Sequence, residues 1–191
     1  MDKSIHSKNN LTKDLIAIIP ARCGSKGFPD KNIAILGGYP LLSYSVAAAK
    51  LSGVDRVLLS TDSEQYASIG RKYGAETPFL RSAEISLDYS TDYEWVKHAM
   101  NWLIQHEKSI PEYWLLLRPT TPLREPKIIN NAVEKIQLIP EASSLRSGYS
   151  APESPFKWFL RDQKGFFQSL SGDLTPDMAN LPRQQLSLIH I

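Results

Sequence analysis

Residues 15–32 read LIAIIPARCGSKGFPDKN and indicate the class of fold. The run 15–19 is uninterrupted apolar sequence between Asp14 and Pro20. Such runs are typical of a strand that is buried on both faces, because helices cover both sides of a parallel sheet. A polar, glycine-containing loop follows at once. In parallel sheets, ligands bind at the carboxyl ends of the strands, where this loop would lie.

Strand-like and helix-like patterns alternate along the rest of the chain. Apolar runs predict two more strands, at 54–59 and 113–117. Amphipathic segments predict four helices, at 41–53, 64–73, 92–107 and 127–139. This order predicts an α/β fold: a Rossmann-like, mostly parallel sheet with right-handed crossovers and helices on both faces.

Three polar loops follow the three predicted strands, at 20–32, 60–63 and 118–125. The carboxyl ends of parallel strands meet at one edge of a sheet. We therefore expect these loops to line a single crevice.

The composition restricts the class of protein. Hydrophobic residues make up 42% and charged residues 22%, as in folded rather than disordered chains. A net charge of +2 disfavours binding to nucleic acid or a membrane surface, and no apolar run reaches the roughly 20 residues of a membrane helix. The polar first 14 residues lack the core of a signal peptide, and one cysteine excludes an internal disulfide. A cytoplasmic globular protein is expected.

The loop after the first strand has the composition of a polyphosphate site. Gly24 and Gly27 allow tight turns, so that amides around Ser25 can point inward as an anion-binding nest. The cations around this nest are Arg22, Lys26 and Lys31. The spacing matches neither Walker A nor G-x-G-x-x-G, which disfavours kinases and dinucleotide enzymes. An ordinary glycine turn with solvated lysines is the structural alternative.

Five segments, in order, resemble the signature motifs of the CMP-sialic acid synthetases, or acylneuraminate cytidylyltransferases. They are IIPARCGSKGFPDKN (18–32), STDSEQYASIGRKYGAETPFLRSAEISLD (60–88), LLLRPTTPLR (115–124), SPFKWF (154–159) and LPRQQL (181–186). The resemblance implies a fold of the nucleotide-diphospho-sugar transferase type. It also implies transfer of CMP from CTP to a nine-carbon acidic sugar, release of pyrophosphate, and Mg²⁺ as cofactor.

Carried over by position, the resemblance implies a set of nucleotide-binding residues. They are Arg22, Gly24, Ser25, Lys26, Gly27, Asn32, Arg81 and Asp88. Arg22 and Lys31 are the implied catalytic residues, since they would neutralise charge on the leaving pyrophosphate. Without its motif, Arg81 would be interpreted as a surface ion-pair residue.

The resemblance also implies residues that contact the acidic sugar: Arg118, Thr120, Arg124, Lys157 and Arg183. Arg118 departs from the family pattern, which commonly has Gln here. Because a guanidinium has no acceptor atom, we expect a legionaminic or pseudaminic type of acid rather than N-acetylneuraminate. Lys157 and Arg183 are the implied partners of the sugar carboxylate. Arg124 is equally compatible with a structural anchor.

Three further residues have side chains that could carry chemistry. Asp62 either holds a metal ion or caps the following helix together with Ser63, and the cap is favoured. His98 has no ligand partner at a useful spacing, which favours packing. Cys23 lies beside the phosphate loop, but no arrangement of a base nearby indicates a nucleophile.

The expected domain organisation is a flexible leader (1–14), a cytidylyltransferase domain (15–186) and a non-native tail (187–191). Within that domain, 149–186 form a small lobe for dimerisation and substrate binding. In the family this lobe crosses to a second subunit, so the resemblance implies a homodimer.

Family members continue past the P-R-Q-Q-L-P element to an Asp-x-Asp-like metal site, whereas LSLIHI (186–191) resembles nothing in them. A truncated reading frame without its metal ligands is therefore expected. Three alternatives remain open. They are a 3-deoxy-manno-octulosonate cytidylyltransferase, a sugar-1-phosphate nucleotidyltransferase, and a catalytically impaired nucleotide-binding fragment.

Overall fold

The computed structural model describes residues 15–25, 27–54, 56–148, 159–161, 163–165 and 167–169. The chain divides into two units at the junction between Leu138 and Ile139. The predicted leader (1–14) and tail (187–191) lie outside the described residues, as does most of the predicted lobe.

The elements alternate as the sequence predicts. The strands are β1 (Leu15–Pro20), β2 (Ile35–Leu36), β3 (Tyr39–Pro40), β4 (Arg56–Ser60), β5 (Tyr113–Leu116), β6 (Phe159–Arg161) and β7 (Phe167–Ser169). The helices are α1 (Leu41–Leu51), α2 (Glu64–Lys72), α3 (Asp92–Glu107) and α4 (Pro126–Gln137). Short 3-10 turns lie at Lys31–Ile33 and Ala83–Ile85.

A parallel sheet in the order β4-β1-β5 forms the centre of the first unit. Ile18 of β1 lies opposite Leu58 on one side and Leu116 on the other. The chain moves from β1 to β4 and then crosses back over β1 to reach β5. Ligand crevices of open α/β sheets lie where the strand order reverses in this way.

The first five residues of β1 are all buried, and their side chains alternate between the two faces. Leu15, Ala17 and Ile19 belong to one core cluster, and Ile16 and Ile18 belong to another. Burial of each large aliphatic side chain contributes about 1.5–3 kcal/mol. This explains why the apolar run lies at the centre of the sheet.

Helices cover both faces of the sheet. Residues of α1, α2 and α4 pack in the first cluster: Leu42, Val46, Tyr66, Ile129 and Val133 among them. Residues of α3 pack in the second: Trp95, Ala99 and Leu103. The predicted α/β class, with a parallel sheet between helices, is therefore confirmed. No helix in the described part of the chain has the length and apolar character that a membrane crossing requires.

Each of the two units has an antiparallel pair of short strands among its described residues. β2 and β3 are antiparallel and are joined by Gly37 and Gly38, which have positive φ values of 55° and 89°. Positive φ at both central residues is the requirement of a type I′ hairpin turn. In the second unit, β6 and β7 form another antiparallel pair.

Candidate active site

The three predicted loops follow the carboxyl ends of the three parallel strands, and hydrogen bonds connect them there. The Ala21 amide donates to the Ser60 carbonyl at 2.9 Å, which extends the pairing of β1 and β4. The Leu117 amide donates to the Ile18 carbonyl at 3.1 Å and does the same for β5. One edge of the sheet therefore carries all three loops.

The loop after β1 is held at both ends. The buried Asn32 side chain donates from Nδ2 to the Arg22 carbonyl at 3.0 Å. The hydroxyl of Tyr66 donates to the Asp30 carboxylate at 2.9 Å, and burial raises the pKa of Tyr66. Gly24 has a φ of +68°, a left-handed conformation that favours glycine at this turn.

Arg22 and Asp88 are 66 positions apart in sequence and form an ion pair in the structure. Nη2 of Arg22 lies 2.6 Å from Oδ1 of Asp88. Nη1 of the same guanidinium donates to the Cys23 and Gly24 carbonyls at 3.3 and 3.4 Å. The loop after β1 is thereby connected to the segment 82–91, as expected if both belong to one site.

Arg81 is a buried cation that attaches the segment after β4 to the end of that strand. Its Nε donates to the Ser60 hydroxyl and its Nη2 to the Ser60 carbonyl, both at 2.7 Å. The guanidinium carbon lies 5.0 Å from the centroid of the Trp95 ring. Burial lowers the pKa of Arg81 to about 10, although Asp62 and Asp92 oppose the shift. These contacts are those of a structural anchor, and a nucleotide contact by Arg81 stays a prediction.

Asp62 does not cap α2 as expected. The Ser63 hydroxyl takes that role and accepts from the Tyr66 amide at 3.4 Å. Asp62 Oδ1 instead accepts from the Cys23 amide at 2.8 Å, and Oδ2 accepts from the Cys23 thiol at 3.1 Å. The bond to Asp62, together with burial, raises the pKa of Cys23. A raised pKa opposes formation of the thiolate, in agreement with the prediction that Cys23 is not a nucleophile.

Arg118 is held by three parts of the first unit. Its carbonyl accepts from the Ser45 hydroxyl on α1 and from Nη2 of Arg124, both at 3.3 Å. Its guanidinium forms an ion pair with Asp92 at the start of α3. Thr120 is exposed on the same loop. The guanidinium of Arg118 is half exposed and lies at the crevice edge of β5.

Arg124 makes the contact of an anchor, which was one of its two predicted roles. Its Nη1 is buried without a hydrogen-bond partner among the described residues, and burial lowers the pKa of the guanidinium. His98 packs edge-to-face on Phe79, with 4.8 Å between the ring centroids. Burial and the charge of Arg81 lower the pKa of His98, which agrees with its predicted packing role.

Some predicted site residues cannot be placed. Lys26, Lys157 and Arg183 lie outside the described residues. Ser25 and Gly27 lie on the loop after β1, and Lys31 begins the 3-10 turn that closes it.

Sequence reasoning missed Asp92 and Ser45, the partners of Arg118. No local pattern distinguishes them, because an aspartate in the first turn of a helix and a serine within a helix are common. They could have been found from the topology, since the amino end of each helix lies beside the crevice edge of the sheet.

The described residues do not by themselves form a metal site. Among them, no group of three or more His, Cys, Asp and Glu side chains is close enough to hold an ion. Both oxygens of Asp62, the metal candidate in the sequence, accept hydrogen bonds from Cys23. The expectation of Mg²⁺ therefore stays a prediction.

Comparison with known proteins gives consistent matches. The model of the cytidylyltransferase family matches residues 16–157. An N-acylneuraminate cytidylyltransferase of Escherichia coli is 40% identical over 126 residues, which are 65% of this chain and 29% of that protein. A CMP-N,N'-diacetyllegionaminic acid synthase of Legionella pneumophila is 39% identical over 124 residues, 63% of this chain and 52% of that protein. A pseudaminic acid cytidylyltransferase of Campylobacter jejuni is 40% identical over 121 residues, with coverage of 63% and 52%.

Solved structures share the fold. The CTP complex of a CMP:2-keto-3-deoxy-manno-octonic acid synthetase matches with a TM-score of 0.56 at 19% identity, over 67% of this chain and 49% of that one. The chain spans about half or less of the length of the three curated relatives. The family model covers most of the chain, from β1 through α4 and beyond. This chain belongs to the cytidylyltransferase family.

Proposed function

We propose that this chain binds CTP at the carboxyl edge of its sheet and transfers CMP to a nine-carbon keto sugar acid, with release of pyrophosphate. The observation that carries the proposal is the meeting of three arginine-bearing segments at this edge. Arg22 pairs with Asp88, Arg81 bonds to the end of β4, and Arg118 pairs with Asp92. Family membership and the names of the three relatives support the choice of reaction.

In the proposed reaction, a sugar hydroxyl oxygen attacks the α-phosphorus of CTP. A new P–O bond forms while the bond from the α-phosphorus to the oxygen that bridges it to the β-phosphorus breaks, and pyrophosphate leaves with that electron pair. The O–H bond of the sugar hydroxyl breaks in the same reaction, and its proton passes to solvent water. Negative charge grows on the leaving group. Arg22 and Lys31 would neutralise it from the loop after β1, and the amides near Gly24 and Ser25 would bind the phosphates. Mg²⁺ would add charge neutralisation if it is bound mainly by the phosphates, as is common for this ion.

Arg118 is the proposed contact for the sugar acid. The backbone carbonyl of Arg118 accepts from Ser45 and Arg124, and its guanidinium pairs with Asp92 at the start of α3. The side chain is therefore held at this edge of the sheet, where an acidic ligand could take the place of Asp92. An arginine offers paired N–H donors that match a carboxylate or an acyl oxygen. It accepts no hydrogen bond, which favours an acid of the legionaminic or pseudaminic type. Thr120 on the same loop, with Lys157 and Arg183, completes the proposed sugar site.

We further propose a cytoplasmic homodimer. The single cysteine suits a reducing compartment, and the resemblance of segment 149–186 to a dimerisation lobe supports the assembly. Sedimentation velocity at several protein concentrations tests this directly. A monomer at all concentrations would contradict it.

The first test is calorimetric titration of CTP, UTP, ATP and GTP into the 191-residue chain with Mg²⁺. Binding is the better first readout, because the chain spans only part of its relatives. Selective binding of CTP is expected, and Lys31→Ala should weaken it by about tenfold or more through loss of a charge-assisted contact. Lys135→Ala is the matched control, because Lys135 lies in the last turn of α4. Equal binding of all four nucleotides would contradict the proposal.

The acceptor is tested by pyrophosphate release with CTP and a panel of acids. The panel contains N-acetylneuraminate, a legionaminic acid, a pseudaminic acid and 3-deoxy-manno-octulosonate. A diaminated nine-carbon acid is expected to be the best substrate. Preference for the eight-carbon acid would replace the proposed acceptor, and Arg118→Gln should shift preference toward N-acetylneuraminate if Arg118 contacts the sugar.

A further inference from the structure

Asp62 places a carboxylate beside a loop that is proposed to bind a triphosphate. Like charges repel, so this side chain should by itself weaken nucleotide binding. Both of its oxygens nevertheless accept hydrogen bonds from Cys23: Oδ1 from the amide at 2.8 Å and Oδ2 from the thiol at 3.1 Å. The role of this carboxylate is therefore to be sought in how it holds the loop after β1.

The peptide unit between Arg22 and Cys23 is held on both sides. Its N–H donates to Oδ1 of Asp62 at 2.8 Å, and its C=O accepts from Nδ2 of Asn32 at 3.0 Å. In a trans peptide these two groups point in opposite directions, so the two bonds fix the orientation of the peptide plane. Asp62 comes from the end of β4, whereas Asn32 comes from the 3-10 turn that closes the loop.

The fixed peptide lies directly before the turn at Gly24. The guanidinium of Arg22, the first residue of this peptide, donates to the Cys23 and Gly24 carbonyls at 3.3 and 3.4 Å. The orientation of this peptide therefore sets both the start of the turn and the point from which the Arg22 side chain extends. An anion-binding loop whose amides are already oriented avoids the entropy cost of ordering when the ligand binds.

We propose that Asp62 is a positioning residue of the phosphate loop: together with Asn32 it clamps the Arg22–Cys23 peptide, and it acts on the nucleotide through the backbone rather than by contact. This inference rests on the proposed nucleotide site. It assigns Asn32 to the same clamp, in addition to any contact that Asn32 makes with the nucleotide. It also predicts that removal of the Asp62 carboxylate weakens nucleotide binding, whereas simple charge repulsion predicts that removal tightens it.

Cys23 provides a readout of the clamp that needs no nucleotide. It is the one cysteine in the chain, so labelling of the thiol reports on this position alone. The ionisable groups that influence Cys23 are Asp62, Asp30 and Tyr66, and the bond to Asp62 is the largest cause of its raised pKa. Release of the thiol from Asp62 should therefore increase the thiolate fraction and the rate of alkylation.

The experiment compares Asp62→Ala, which removes both acceptor oxygens, with Glu64→Ala. Both variants remove one negative charge near the start of α2, but Glu64 pairs with Arg71 and not with the loop. The rate of Cys23 alkylation by N-ethylmaleimide at pH 7.5 is measured without ligand. Asp62→Ala should raise it several-fold, because the thiolate fraction increases when the thiol loses its bond to the carboxylate. Glu64→Ala should leave it unchanged, and an unchanged rate in Asp62→Ala would overturn the clamp.

Calorimetric titration of CTP then tests the sign. Asp62→Ala should weaken CTP binding several-fold, although it removes a repelling charge, whereas Glu64→Ala should leave binding unchanged or slightly tighter. Tighter binding by Asp62→Ala would overturn the positioning role. If the unchanged protein binds no CTP, the proposed function fails, while the alkylation result still decides the clamp.

A second variant covers a failure of Asp62→Ala to fold. Asn32→Ala removes the other arm of the clamp and keeps Asp62. Amide hydrogen exchange in the peptide containing residues 21–25 should be faster in this variant than in the unchanged protein. Equal exchange rates would overturn the proposal, since the peptide would then be held without Asn32.

Discussion

Arg22 is the residue on which the two predicted halves of the nucleotide site meet. The family resemblance implies that both Arg22 and Asp88 bind the nucleotide, and the structure pairs them at 2.6 Å. A guanidinium that is bound to a carboxylate must leave it, or share it, in order to bind a phosphate. Asp88 would therefore compete with a nucleotide phosphate for this guanidinium, so its replacement is expected to tighten nucleotide binding.

Replacement of Asp88 by Asn should tighten CTP binding by about two- to fivefold, because partly exposed ion pairs are worth up to about 1 kcal/mol. The measurement is calorimetric titration at two salt concentrations, and the difference should shrink at the higher one. Glu84→Gln is the control, since Glu84 is an exposed carboxylate of the same segment. Weaker binding by Asp88→Asn would indicate that Asp88 touches the nucleotide.

Arg81, unlike Arg22, is expected to contribute mainly to the stability of the fold. Its bonds to the hydroxyl and the carbonyl of Ser60 are buried, so Arg81→Met should lower the free energy of unfolding by about 1–3 kcal/mol in urea. Arg81→Lys should recover little, because an ammonium cannot form the same pair of bonds as the guanidinium fork. Full stability of the Lys variant would show that charge alone matters at this position.

Among the helices, the end of α2 has a clearly defined C-terminal cap. The Ala75 amide donates to the Gly70 carbonyl and the Gly74 amide to the Arg71 carbonyl, both at 2.9 Å. These two bonds form a Schellman motif, and Gly74 has the φ of +93° that the motif requires. A methyl group at Gly74 would also lie 2.7 Å from Cε of Lys50.

Gly74→Ala should therefore lower the free energy of unfolding by about 1–2 kcal/mol, mainly because the left-handed conformation is unfavourable for an L-residue with a Cβ. Ser68→Ala is the control on the same helix, because Ser68 is exposed and alanine favours helix. Urea unfolding of both variants gives the comparison. A Gly74→Ala variant as stable as the control would contradict the role of this cap.

Helix α2 also shows why local structure could be predicted from the sequence, whereas the ion pairs of the candidate site could not. The sequence marks the start of α2 with Ser63 and its end with Gly74, and both signals act within four residues. The hairpin β2–β3 was also marked, by Gly37 and Gly38, although the prediction did not use that signal. In contrast, Arg118 and Asp92 are 26 positions apart, and only the topology of the sheet brings them together.

For the first unit as a whole, the two edges of the sheet have different roles. The carboxyl edge carries the loops of the candidate site. At the amino edge, Arg56 at the start of β4 bonds to both Glu76 and Glu107, with shortest distances of 2.7 Å to each. Glu107 lies at the end of α3, so this network connects the sheet to the helix that covers one of its faces. Substitutions at the amino edge should therefore change the stability of the fold without changing nucleotide affinity.

Glu107→Gln tests this separation through its pH dependence. The bond to Arg56 lowers the pKa of Glu107, so the carboxylate stabilises the fold above the pKa of an unfolded glutamate, about 4.3, and this stabilisation is lost as the pH falls through the folded value. At pH 7 the variant should be less stable in urea by up to about 1 kcal/mol, and the two proteins should converge once the pH lies below the lowered pKa of Glu107. CTP affinity at pH 7 should be unchanged, and Glu112→Gln should affect neither quantity. If CTP affinity falls along with stability in Glu107→Gln, the two edges are coupled and binding draws on the packing of α3 as well as on the loops.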